Sequence, residues 1–147
     1  MTFNLTKDQI EIQQCARQIA STLVAENAVE VDKSEQYPWD NVKALTDAGF
    51  VGMTIPKEYG GPGRSFLEAN LVVEEMAAYC GPTGRIAVEA NMGAISAVMH
   101  YGTDFQKRLA AELVLAGDKP AICITEPDAG SAASQMTTRA DKRGDKY

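Results

Sequence analysis

The chain has 147 residues, 45% of them hydrophobic and 23% charged, with a net charge of −6. That is the composition of a folded globular protein and not of a disordered one. Without any run of Lys or Arg it has no basic cluster to hold a nucleic-acid backbone or an anionic membrane surface, and no stretch reaches the roughly 18–20 apolar residues that cross a bilayer.

The opening MTFNLTKDQ lacks a basic-then-apolar leader, so the reading is a cytoplasmic chain. Thr6, with Gln9 three residues on, predicts a capping box. Ile10, Ile12, Ala16, Ile19, Leu23 and Val24 then recur at helical spacing. Asp32–Gln36 is a polar connector. Tyr37-Pro38-Trp39 starts a second helix, Trp39–Ala48, closed by Gly49. Phe50–Ile55 is a short apolar run ended by Pro56, and Tyr59–Gly63 is a loop. A third helix is predicted over about Phe66–Tyr79, broken at Cys80-Gly81-Pro82. A fourth runs over about Arg85–Tyr101, where only Arg85, Glu89 and His100 could carry charge. A helix apolar nearly all round is normally buried, which makes this one the expected centre of the helical part. Asp104–Ala116 forms a fifth helix, capped by Gly117. Met92 and Met99 read as core filler. Cys15, Cys80 and Cys123 are far apart and odd in number, which predicts three reduced thiols and neither a disulfide framework nor a metal site.

After Pro120 the pattern changes to strands: Ala121–Thr125, then Thr137–Ala140, a turn over Asp141–Gly144, and a further strand from Asp145. The predicted fold class is therefore α+β, an all-α helical domain over 1–118 followed by the first strands of an antiparallel β-domain over 119–147. The last arm is shorter than the usual ~5–6 residues and leaves an open edge, so the chain reads as a fragment of a larger assembly. Between the strands, Thr125-Glu126-Pro127 ends the apolar run. Asp128-Ala129-Gly130-Ser131 makes a small-residue turn where bare backbone N–H groups can approach a ligand.

The stretch I-T-E-P-D-A-G-S at Ile124–Ser131 resembles the flavin-contacting segment of acyl-CoA dehydrogenases. Further matches are L-T-K-D-Q at Leu5–Gln9, Asp47–Phe50, I-P-K-E-Y-G-G-P-G at Ile55–Gly63, Glu74–Ala77 and Tyr101–Thr103. The resemblance covers essentially the whole chain. It implies the family's N-terminal helical domain plus the start of its middle β-domain, FAD as cofactor, an acyl-CoA substrate and a homotetramer. It implies that Ile122, Ile124 and Thr125 contact the isoalloxazine ring, and that Gly130 and Ser131 contact FAD and the thioester or pantetheine arm. A flavin accepts hydride, so the protein need only orient it and hydrogen-bond its edge. Ala132 stands where the family usually has Asp. The family's glutamate base lies in a C-terminal helical domain outside these residues, so no catalytic residue is assigned. His100 reads as a helix-end cation. Arg85, at the opening of a nearly uncharged helix, falls where the family's acyl pocket ends; it is either a substrate-binding cation for an anionic acyl tail or an exposed surface arginine. E-Q-Y-P-W-D-N-V at Glu35–Val42, G-R-I at Gly84–Ile86 and Gly117–Ser134 look similar to the 3-sulfinopropionyl-CoA desulfinase branch, which cleaves a carbon–sulfur bond. Three functions thus stand open: α,β-dehydrogenation of a short, acidic acyl-CoA, desulfination, and a non-catalytic helical interaction module.

Overall fold

Thr6 begins the first helix as its side-chain and backbone chemistry requires. Its hydroxyl accepts the Gln9 N–H at 3.2 Å while its own N–H donates to the Gln9 side chain at 3.0 Å. In this computed structural model, residues 4–147 are described, and the part of the leader reading that rests on residues 1–3 lies outside them. Helix α1 (Lys7–Ile19) runs without a break through a π-helical segment (Ala20–Val24) into α2 (Ala25–Ser34). The Thr22 hydroxyl donates to the Gln18 carbonyl at 2.8 Å, and the Ala25 N–H reaches back to Ala20, an i→i+5 bond. The wider π turn matters for burial. Ala16, Ala20 and Val24 are all fully buried at spacings of four. In an α-helix four residues overshoot a full turn by about 40°, and slower winding takes some of that drift back.

Glu35, in the left-handed region at φ 55, ends α2. α3 (Trp39–Asp47) follows, and Gly49 at φ 72 closes it as expected. The apolar run Phe50–Ile55 is buried but forms turns, not a strand. Asn91 holds it there: the Met53 N–H donates to Asn91 Oδ1 at 2.7 Å, and Asn91 Nδ2 donates to the Phe50 carbonyl at 2.9 Å. A 3₁₀ turn (Lys57–Tyr59) leads to a loop that folds back on this run through Gly63 N–H to Ile55 O, 2.9 Å.

α4 (Phe66–Ala77) carries a second capping box, Ser65 with Glu68. α5 (Gly81–Asn91) starts with Pro82 in its first turn, where a missing N–H costs nothing. α4 and α5 pack backbone to backbone: a Cβ on Gly84 would lie 2.6 Å from the Ala77 Cβ and 2.8 Å from its Cα. α1 crosses α4, where Arg17 donates twice to the nearly buried Glu75, at 3.0 and 2.7 Å. Glu75 holds the Arg17 guanidinium even more firmly protonated than usual. α6 (Ala94–Tyr101) and α7 (Asp104–Leu115) form the last hairpin, with a third capping box at Thr103 and Gln106. The core gathers Val24, Leu45, Met53, Ile55, Val72 and Met76, with Met92 and Met99 packed against it.

Two expectations are corrected here. The fourth helix is two, broken at Met92–Gly93, where Gly93 adopts ψ −115. Asn91 spends its amide on Phe50 and Ala87, and the Glu89 carboxylate occupies the space a side chain at 93 would need. Only α5 is central. α6 buries Ile95 and leaves Tyr101 exposed, because its uncharged outer face lies with α7 against an open apolar groove lined by Val98, Leu109 and Leu113. The second correction concerns the β-domain. No strand forms among the described residues; Ala121–Thr125, Thr137–Ala140 and Asp145–Tyr147 are irregular. Pairing is confined to two isolated bridges, Glu126↔Ala129 and Arg143↔Lys146. The final turn centres on Gly144-Asp145, with Gly144 at φ 69, and not on Asp141–Gly144. The physical reason is that two short segments without a sheet to bury them do not hold a ladder; from Lys119 onward only Ala129 is buried. The described chain is thus helical with an irregular 119–147 segment, and the α half of the α+β reading is what the structure contains.

Candidate functional site

The segment after α7 is pinned at its root. The Lys119 ammonium sits 4.7 Å from the Tyr37 ring centre and 5.5 Å from that of Trp39, a cation–π contact. From there Ala121–Thr125 runs over the surface with Ile122 43% and Ile124 54% exposed. The Thr125 hydroxyl makes no hydrogen bond within the described residues, nor does that of Ser131. At Gly130 a Cβ would meet nothing within 4 Å, so the turn is open to approach. Two exposed isoleucines at alternate positions, ending in a free hydroxyl, suit a flat apolar ring with a polar edge. FAD therefore fits the residue types present: Ile122 and Ile124 would lie against its ring and Thr125 would reach its edge.

The turn itself is built tightly. Glu126 and Ala129 exchange both backbone hydrogen bonds, at 3.2 and 3.1 Å, with Pro127 and Asp128 at the corners. The Glu126 side chain then closes a larger loop. Its Oε1 accepts from the Thr137 N–H and, at 3.2 Å, from the Thr137 hydroxyl; its Oε2 accepts the Thr138 N–H at 2.9 Å and the Thr138 hydroxyl. These donors, the Thr138 hydroxyl first, lower the carboxyl from 4.5 to about 2.

Arg85 lies in the second turn of α5, since that helix starts at Gly81 and not at Arg85. It is 69% exposed at the side chain and pairs with Glu89 one turn on. That partner offsets the poor match of a cation to the N-terminal half of a helix. The second Glu89 oxygen, Oε2, is buried without a hydrogen-bond partner. Arg85, Ile86 and Glu89 line a cleft of about 320 Å³ with Tyr37, Lys119 and Pro120. The structure thus brings Arg85 to the root of the segment that carries Ile122 and Ile124. Ser131 and Gly130 lie on the exposed turn beyond it. His100 is exposed at the end of α6, its ring 5.3 Å from Tyr101. Cys15 and Cys123 are exposed and Cys80 is buried, all as free thiols. No helix is long and apolar enough to cross a membrane, and no metal-ligand cluster occurs among the described residues.

Sequence reasoning missed three residues. Glu126 was read only as the end of a strand, although its clamp is the densest set of hydrogen bonds in the segment; a Glu followed eleven and twelve residues later by two threonines carries no periodic signal. Glu89 and Lys119 escaped because their roles depend on which helices and rings come to lie beside them.

Residues 6–118 match the family described as acyl-CoA dehydrogenase, N-terminal domain. The chain is 60% identical over 145 residues to the 3-sulfinopropanoyl-CoA desulfinase of Variovorax paradoxus, covering 99% of this chain and 36% of that protein. It is 36% identical to the short-chain-specific acyl-CoA dehydrogenase of Clostridium acetobutylicum, covering all of this chain and 39% of that protein. Among solved structures, glutaryl-CoA dehydrogenase from Mycobacterium smegmatis in complex with FADH2 superposes with a TM-score of 0.84 at 27% identity, covering 95% of this chain and 36% of that one. The chain spans little more than a third of the length of the relatives it matches. The match over 6–118, more than half of the chain, means that the chain belongs to the acyl-CoA dehydrogenase family.

Proposed function

We propose that this chain supplies the N-terminal helical domain, 1–118, and the opening of the middle domain, 119–147, of a cytoplasmic, FAD-dependent, homotetrameric enzyme acting on a short acyl-CoA with an acidic tail. The observation that carries this reading is the placement of a cation, Arg85, at a cleft whose other wall is the root of the Ile122–Thr125 strip. When bound, FAD would supply an electron-accepting ring that the protein has only to hold and orient. Ile122 and Ile124 would exclude water from the ring's face, Thr125 would hydrogen-bond its edge, and Gly130 and Ser131 would offer backbone groups to the cofactor and thioester. Arg85 would fix the far end of the acyl group by bidentate contact with its anion.

Of the two reactions compatible with such a site, desulfination of 3-sulfinopropanoyl-CoA is favoured over α,β-dehydrogenation. The specific support is the 60% identity to a desulfinase, against 36% to a short-chain dehydrogenase. The deciding experiment supplies the full-length flavoprotein with 3-sulfinopropanoyl-CoA and, separately, with short saturated acyl-CoAs plus an electron acceptor. Sulfite release without net acceptor reduction is the expected result. Acceptor reduction with no sulfite would return the assignment to dehydrogenation, and a full-length protein without flavin absorbance would leave a helical interaction module.

A further inference from the structure

We infer that Glu126 is the positioning residue of this site: its carboxylate, gripping Thr137 and Thr138, sets the register in which Thr125 and Ser131 meet a flavin and its thioester. The inference rests on the FAD reading above and adds a residue to it. Thr125 directly precedes Glu126, and Gly130 and Ser131 directly follow the Glu126–Ala129 turn. That turn is short and doubly hydrogen-bonded, so it moves as one body. What fixes that body against the rest of the segment is the Glu126 side chain, which receives two backbone N–H and two hydroxyl donors from Thr137 and Thr138. All four donors point at one carboxylate. The four donors occupy both carboxylate oxygens, so the side chain is committed to holding its neighbours in place.

The chemistry makes the residue type specific. A carboxylate accepts at both oxygens. In Glu126→Gln one of them becomes an NH2 group, which can donate to a threonine hydroxyl but leaves the backbone N–H on that side facing another donor. In Glu126→Asp the charge is kept but the side chain is one methylene shorter, so it reaches one threonine at a time. Thr138→Val keeps the carboxylate and every backbone donor and removes a single hydroxyl.

Two measurements test the assignment. In the 15N-labelled 147-residue chain, the Thr137 and Thr138 amide signals should stay together, downfield and protected, from neutral pH to about 3, and collapse only near pH 2. In Glu126→Gln they should lie at random-coil positions at every pH. In the full-length flavoprotein, Glu126→Gln should raise the FAD dissociation constant by about tenfold or more and shift the flavin absorption band. Thr138→Val should give a smaller shift of the same sign, and Glu126→Asp should recover part of the band position. Amides of Thr137 and Thr138 that are unprotected in the wild type would remove the clamp and overturn the inference while leaving the flavin reading untouched. Protected amides together with an unchanged band and unchanged FAD affinity in Glu126→Gln would also overturn it. A full-length wild type with an intact clamp and no flavin would overturn the FAD reading and this assignment with it.

Discussion

Asn91 shows how much one side chain can organise. It is fully buried, and its amide group makes three hydrogen bonds: one received from the Met53 N–H and two donated to the Phe50 and Ala87 carbonyls. Asn91→Ala would strand a buried donor and a buried acceptor in the 50–55 run, a loss of about 2–4 kcal/mol that urea unfolding of the chain would register. Arg85 is the opposite case, a largely exposed guanidinium paired with the mostly buried Glu89 carboxylate. Under the proposed function its value lies in substrate choice. In the full-length enzyme Arg85→Met should lower kcat/KM for an anionic acyl-CoA far more than for a neutral one of equal length. A ratio of the two that the substitution leaves alone would make Arg85 a surface residue. Glu126 carries a pH signature. Its folded-state carboxyl lies near 2, below the ordinary 4.5, so its contribution is complete above about pH 4.5 and disappears as the pH falls toward 2.

At the scale of elements, the crossing of α4 and α5 depends on the absence of one methyl group. Gly84 and Gly81 make a matched pair within α5: a Cβ at 84 would collide with the backbone of Ala77, and a Cβ at 81 would meet nothing within 4 Å. Gly84→Ala should therefore cost about 1–3 kcal/mol, and Gly81→Ala almost nothing, as thermal denaturation of the two variants would show. The helices were legible because their signals are local. Thr6 with Gln9, and Gly49 and Gly117 past helix ends, each satisfy a terminal backbone group within a few residues, and Pro38 fixes the chain just before Trp39. The break at Met92–Gly93 was not legible, because it depends on Asn91 reaching a run some forty residues earlier. The strands failed for a related reason. Ala121–Ile124 has strand composition, but composition says nothing about whether a neighbouring strand is present to pair with it. The T-E-P turn was legible as a motif and its clamp was not.

Across the whole molecule, the helical part has a continuous core and the 119–147 segment has almost none. Ile122, Ile124, Tyr101, Phe105, Leu109 and Leu113 remain exposed apolar residues. A flavin resting on the Ile122–Thr125 strip alone would have one face covered and one in water. The 147-residue chain by itself should accordingly retain no FAD through gel filtration, whereas the full-length protein should carry it in stoichiometric amount. Tightly held flavin on the 147-residue chain would mean that the strip suffices. The same exposure predicts that the chain binds a hydrophobic dye, and that Leu109→Lys with Leu113→Glu reduces dye fluorescence while leaving the melting temperature nearly unchanged.

The slow-winding turn between Ala20 and Val24 has a consequence for how this chain tolerates changes in length. A deletion inside an ordinary helix rotates everything beyond it by about 100° and turns a buried face outward. A π segment already holds one residue more than the regular helix needs. Removing Thr22 would let the segment close into α-helix and leave Ala16, Ala20 and Val24 at spacings of four and three, still on one face. Loss of Gln13, in the regular part of α1, should unfold the chain at a much lower temperature than loss of Thr22, and melting curves of the two deletion variants would rank them. Position 22 is thus where this long helix can lose a codon and keep its register.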